Sequence, residues 1–343
     1  MTNTTASMQQ LARRRAEMYI PDPALIIAAE VALELGLPLL IAGEPGTGKT
    51  SFANYLAQKL APRWFQERAN GAASAAALPL YKFETKSTSV ATDLFYRFDS
   101  LRLFHAAHAG GDKPDNRDYI TFEALGKAIL YSRPWNALCE TVARPSDYPE
   151  SGRAVVLIDE VDKAPRDFPN DILNEIERMF FRIPELQTKD KREVLQIEAD
   201  PDLKPLIVLT SNSERTLPDA FLRRCIFHHI DFPKRTQAKR LQEIIAANIG
   251  QAVGTLANDA LDFFFTVREA DLDKPPTTAE LVQWIQMLQA RRWSGGQLDP
   301  ERAKLADVPL GELQASLGAL AKTKDDLSKV QGLVAAVRKP VHR

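Results

Sequence analysis

Eight consecutive residues, Gly43-Glu44-Pro45-Gly46-Thr47-Gly48-Lys49-Thr50, stand between a short apolar run and a helix-forming stretch. Their spacing is GxxxxGK[ST], in which the glycines let successive backbone N–H groups turn inward around phosphate oxygens. The helix that follows adds the positive end of its dipole to that cradle. In such a loop the Lys49 ammonium reaches the β and γ phosphates of a nucleoside triphosphate, and the Thr50 hydroxyl is a ligand for Mg²⁺. Ser51, the next residue, is a further candidate for contact with the nucleotide.

Two acids close a later apolar run, VVLIDE, with Asp159 lying 110 positions after Lys49. Carboxylates at the carboxyl end of a parallel strand share one edge of the sheet with a phosphate loop. Asp159 is placed to hold the metal, directly or through water, and Glu160 to polarise an attacking water as general base. The next apolar run, PLIVLT, ends in Ser211-Asn212. Asn212 offers a neutral amide at the level of the γ-phosphate that can orient the water, although Ser and Asn also follow strands as ordinary turn residues. Twelve positions on, LPDAFLRRC carries the adjacent arginines Arg223 and Arg224. Their planar donors suit a transferring phosphoryl group. They suit equally well the negative end of a short helix.

The elements that must position these residues read as strands alternating with helices. PLLIA (38–42), YKFET (81–85), AVVLI (154–158), PLIVLT (205–210) and IFHHIDF (226–232) are candidate strands, and the nearly pure apolar ones fit a sheet covered on both faces. Residues 23–36 form an apolar-striped helix stopped by Gly36, and helix formers run from Thr50 to about Leu60. Ile172, Leu173, Ile176, Met179 and Phe180 fall on one helical face. Alternation of this kind predicts a three-layer parallel α/β sheet with right-handed crossovers. After Pro233 the pattern is helical throughout, so the chain divides into an α/β domain over 1–235 and a small all-helical domain over 236–343. GAASAAAL (71–78) reads as a loop or weak helix without an assigned role.

The ordered set GEPGTGKT, VVLIDEVDKAP, TSN and LPDAFLRRC resembles the AAA+ ATPases, and specifically the MoxR group, over about residues 19–339. The resemblance implies a P-loop AAA+ core with a helical lid, hydrolysis of ATP with Mg²⁺, and a chaperone-like role in the cytoplasm. It implies a homo-oligomeric ring, a hexamer, acting on a protein client, often with a von Willebrand factor A domain protein. Gly43 to Thr50 would be Walker A, Asp159 and Glu160 Walker B, Asn212 sensor 1, and Arg224 the arginine finger with Arg223 as its alternate. Ile20 or a neighbour would contact adenine. The stretches 87–104 and 180–200 fall where the family carries a helix-2 insert and a pre-sensor-1 hairpin. The sequence departs from the pattern at sensor 2: the helix expected to open at PPTTAELVQW has a Thr277/Glu280 capping box but no arginine in its first turn.

The bulk composition narrows the alternatives. A chain of 343 residues with 45% hydrophobic residues and net charge −1 is an ordinary globular protein and lacks a broad basic field for nucleic acid. Cys139 and Cys225 are far apart with no CxxC, which fits a reducing cytosol. No apolar run approaches the ~20 residues that span a bilayer. TKDD (323–326) matches a guanine-reading pattern, but its helical setting makes it a charged helix face. His105 and His108 share a face without further metal ligands nearby, and His228 and His229 alternate across a strand. Two readings compete with the ATPase. One is a nucleotide-gated scaffold with negligible turnover, which the missing sensor 2 arginine favours and Glu160 opposes. The other is a nucleic-acid motor using the basic residues of 182–192, which lack an aromatic stacking platform.

Overall fold

A computed structural model of the chain describes residues 10, 12–68, 76–108, 114–138, 141–149, 151–187, 193–212, 217–250, 252–294 and 296–337. Cys139, residues 71–75 of the Ala-rich stretch and the hairpin residues Lys189, Lys191 and Arg192 lie outside them. The chain forms two compact units: one of residues 1–16, 21–43 and 49–230, the other of 17–20, 44–48 and 231–343.

Among the described residues the first unit has nine strands: β1 (Leu39–Gly43), β2 (Leu80–Glu84), β3 (Tyr96–Phe98), β4 (Ile120–Phe122), β5 (Val155–Asp159), β6 (Phe180–Gln187), β7 (Val194–Glu198), β8 (Leu206–Ser211) and β9 (Ile226–Ile230). Five of them make an all-parallel sheet in the order β2-β5-β8-β1-β9. Every residue of β1 and β5 is buried, as expected of apolar strands with helices on both faces. The edge strand β9 alternates instead, with only Ile230 fully buried. The register sets Ala42 beside Ser211 and Ile158 beside Leu209. The carboxyl ends of β1, β5 and β8, with the candidate residues that follow them, therefore emerge at one sheet edge.

The helix after β1 is longer than the sequence suggests. It runs from Lys49 through a π-turn at Leu56–Leu60 to Arg68. Pro62 would normally end it, because proline has no N–H and its ring crowds the carbonyl four residues back. The π-turn, in which Ala61 N–H reaches Leu56 O, widens the ladder just before that proline.

A second departure concerns Phe180. The helix Leu173–Arg178 ends at Met179, whose φ of 55° turns the chain into β6. Phe180 is buried as a strand residue, and the apparent helical face extended one element too far. β6 and β7, within the 180–200 stretch, pair antiparallel, and β3 pairs antiparallel with β4. In the 87–104 stretch a 3₁₀ turn (Ala91–Leu94) and β3 precede the helix Ser100–His108, where His108 packs its ring on Phe104.

The second unit is mainly helical: Ala238–Ile249, Thr255–Glu269, Thr278–Ala290, Leu310–Ser316 and Lys324–Val337. Leu241, Leu261, Phe264, Trp284, Ile285 and Leu288 are buried in its core. The expectation of helices alone needs amendment, since Arg292–Trp293 and Gly296–Gln297 form a two-residue antiparallel ladder. The Thr277/Glu280 capping box is formed at the start of Thr278–Ala290.

TKDD opens the helix Lys324–Val337 with Lys324 and Asp325 exposed, as a charged helix face should, but Asp326 departs from that pattern. Asp326 is fully buried and accepts the backbone N–H groups of Asp273 and Lys274 at 2.9 and 3.2 Å, tying down a loop. Among the described residues, no helix is long and apolar enough to cross a membrane.

Candidate functional site

The side chains at the sheet's carboxyl edge form a continuous hydrogen-bonded set. Lys49, buried at the start of its helix, donates through Nζ to Gly43 O at 2.7 Å and to Asn212 Oδ1 at 2.9 Å. Gly43 sits at a φ of 147°, and a Cβ there would lie 2.6 Å from Ile230 O, so only glycine lets β1 end this close to β9. Thr50 donates from Oγ1 to Asp159 Oδ1 at 3.0 Å and lies 3.2 Å from Oδ2. The parallel pairing places β8 between β1 and β5, so Thr210 and Asn212 come to lie between Lys49 and the two acids.

Thr210, fully buried, works in both directions. Its hydroxyl donates to Asp159 Oδ1 at 2.6 Å and accepts the Glu160 N–H at 2.8 Å. Glu160 has a φ of 57°, a left-handed conformation that costs a non-glycine residue about 1–3 kcal/mol. The bond to Thr210 fixes that conformation, which turns the chain sharply after β5. Glu160 Oε1 then receives Asn212 Nδ2 at 3.4 Å, and Oε2 pairs with Lys163 Nζ at 2.5 Å. The Asn212 N–H donates to Asp162 Oδ1 at 3.1 Å, fastening the end of β8 to the turn after β5.

Asp159 is held from a further side. Lys82 on β2 lies 3.0 Å from Oδ2 and also donates to Glu84 at 2.9 Å. Burial pushes the Asp159 carboxyl up, but hydrogen bonds from Thr210, Lys82 and Thr50 outweigh it and hold the group below its ordinary value. For Lys82 the order is the same: partial burial lowers it, and bonds to Glu84 and Asp159 raise it above the usual ammonium range. A hydroxyl and an ionised carboxylate are hard oxygen donors of the kind Mg²⁺ takes when substrate phosphates supply most of its shell. No group of three or more potential metal-ligating His, Cys, Asp or Glu side chains occurs among the described residues, and a phosphate-held Mg²⁺ does not require one.

The remaining loop residues belong to the second unit. Thr47 Oγ1 donates to Glu44 O at 2.8 Å, closing the turn. Gly46, at a φ of 73°, lies so near the Thr277 side chain that a Cβ would come within 2.6 Å of it. Glu44 accepts Arg268 Nη2 at 2.8 Å, and Arg268 also donates to Pro276 O. Pro45 is exposed, Gly48 approaches the Tyr19 ring, and the neighbouring Ile20 is half-buried. Ser51 is exposed on the helix after the loop.

Arg223 caps the short helix Asp219–Leu222 and is exposed. Arg224, also exposed, donates to Ala220 O at 2.9 Å and to Glu177 Oε2 at 3.3 Å. A cation folded back on the last carbonyls of its own helix is the helix-terminal arrangement.

No family model and no curated protein matches the chain. The resemblance therefore rests on the motifs themselves. Four positions were not singled out from the sequence: Lys82, Thr210, Lys163 and Arg268. Thr210 and Lys163 lie inside quoted motifs, which was the available signal. Lys82 and Arg268 come from elements whose neighbours depend on the folded arrangement.

Proposed function

We propose that this chain binds ATP with Mg²⁺ and hydrolyses it, as a member of the MoxR group of AAA+ remodelling proteins. The observation that carries the reading is the junction of Lys49, Thr50, Asp159, Glu160 and Asn212 in one bonded set, drawn from positions up to 163 residues apart. Lys49 would turn to the phosphates, and Thr50 and Asp159 would hold the metal, which would neutralise phosphate charge. A water oriented by Asn212 attacks the γ-phosphorus while Glu160 takes its proton. The bond to the β–γ bridging oxygen breaks, and ADP leaves with that electron pair. By the family resemblance the helical unit acts as a lid, Ile20 or a neighbour meets adenine, and the chain works as a ring, a hexamer, on a protein client in the cytoplasm. A von Willebrand factor A domain protein is the partner that this resemblance suggests.

A second reading, a nucleotide-gated scaffold with little turnover, draws support from one observation: Glu160 is engaged by Lys163. Nucleotide titration by fluorescence tests what both share. The wild type binds ATP, and Lys49→Ala abolishes tight binding; unchanged affinity in Lys49→Ala would overturn the assignment of the loop.

A further inference from the structure

We propose that Lys163 is a positioning residue that holds the Glu160 carboxylate off the attacking water and thereby limits basal turnover. The inference rests on the ATPase reading above. A general base must bring a free carboxylate oxygen within hydrogen-bond reach of the water. Here Oε2 is taken by Lys163 at 2.5 Å, and Oε1 faces Asn212 Nδ2 at 3.4 Å.

The contact is built into the backbone. Residues Val161–Lys163 form a 3₁₀ turn, closed by Lys163 N–H to Glu160 O at 2.9 Å. With three residues per turn, side chains at i and i+3 stack over each other, so position 163 stands directly beside position 160. The turn is anchored at both ends: Val161 is buried, and Asp162 accepts the Asn212 N–H at 3.1 Å. Glu160 is likewise fixed through its N–H to Thr210 at 2.8 Å. Release of the base thus requires only side-chain rotation, with no change in the strand end.

Occupancy supplies a reason for that rotation. Asn212 is shared between Lys49 at 2.9 Å and Glu160 at 3.4 Å. Phosphate that draws Lys49 away frees the Asn212 amide to turn with Glu160 toward the water. The side chains of Lys163 and Glu160 are 54% and 39% exposed, so their pairing is weak and the restraint is a modulation rather than a lock.

Steady-state phosphate release from the full chain tests the proposal. Lys163→Met should raise kcat by about two- to fivefold, the range of an exposed ion pair, with KM for ATP unchanged. Lys163→Arg, which keeps the cation, should behave as wild type. An unchanged or lower kcat in Lys163→Met overturns the proposal. A second measurement stands apart from turnover: the Glu160 side-chain ¹³C resonance of the nucleotide-free protein should move in Lys163→Met and stay in Lys163→Arg. Absence of that movement also overturns it. A wild type without hydrolysis but with this resonance shift counts against the ATPase reading alone and leaves the ion pair established.

Discussion

Asp159 and Glu160, adjacent in sequence, are both fastened by the Thr210 hydroxyl, which donates to the carboxylate of the first and accepts the N–H of the second. One buried oxygen on β8 therefore fixes the direction of two acids at the end of β5. Thr210→Val keeps the shape and removes that oxygen. It leaves the Glu160 N–H and one Asp159 lone pair without a partner, at a cost of about 1–3 kcal/mol. Denaturant unfolding should show that loss, and phosphate release should fall along with it. A Thr210→Val protein as stable and active as wild type would contradict the role.

Asp326 gives a pH-dependent test in the second unit. Burial raises its carboxyl, but the N–H groups of Asp273 and Lys274, with Thr323, lower it more, so the folded value lies below the unfolded one. A group depressed on folding contributes stability above its unfolded pKa, about 3.9, and loses it as pH falls through the folded value. The wild type should therefore lose stability on acidification through and below about pH 4 more steeply than Asp326→Asn. Thermal melts of the two proteins over that range make the comparison, and parallel pH profiles would refute it.

The arginine pair bears on assembly. An arginine finger supplied by a neighbouring subunit is worth about 10³–10⁵ in rate. Arg224→Ala should bind ATP normally and hydrolyse it poorly, while Lys49→Ala fails to bind. Mixed together, some interfaces join an intact loop from the first variant to an intact Arg224 from the second, so activity should partly return. If subunits exchange and the mixture stays inactive, Arg223 is the residue to try next. Full activity of Arg224→Ala alone would leave its bonds to Ala220 and Glu177 as its whole function.

Much of the sheet was legible because VVLID and LIVLT are too apolar to serve anywhere but between two layers of helix. Lys49 and Thr50 could be named from the GxxxxGK[ST] spacing, and Asp159, Glu160 and Asn212 because each ends or directly follows a recognisable strand. The partners on neighbouring elements were not legible. Lys82 meets Asp159 only because β2 pairs with β5 in a register that sets Glu84 beside Asp159, and sheet order is not written in any one strand. Arg268 reaches Glu44 across 224 positions. Asp326 looked like surface charge because composition cannot reveal that a loop's N–H groups will cover it. Phe180 fitted a helical period until Met179 turned left-handed, a backbone choice unusual for methionine.

The role proposed for Glu160 is to activate water for attack on ATP bound at Lys49. Phosphate release by purified wild type and Glu160→Gln, at saturating ATP and Mg²⁺, tests it most directly. The amide keeps the shape of the side chain and cannot accept the proton. Turnover should fall by at least ~10²-fold while nucleotide affinity is retained. Equal turnover in the two proteins would contradict the account.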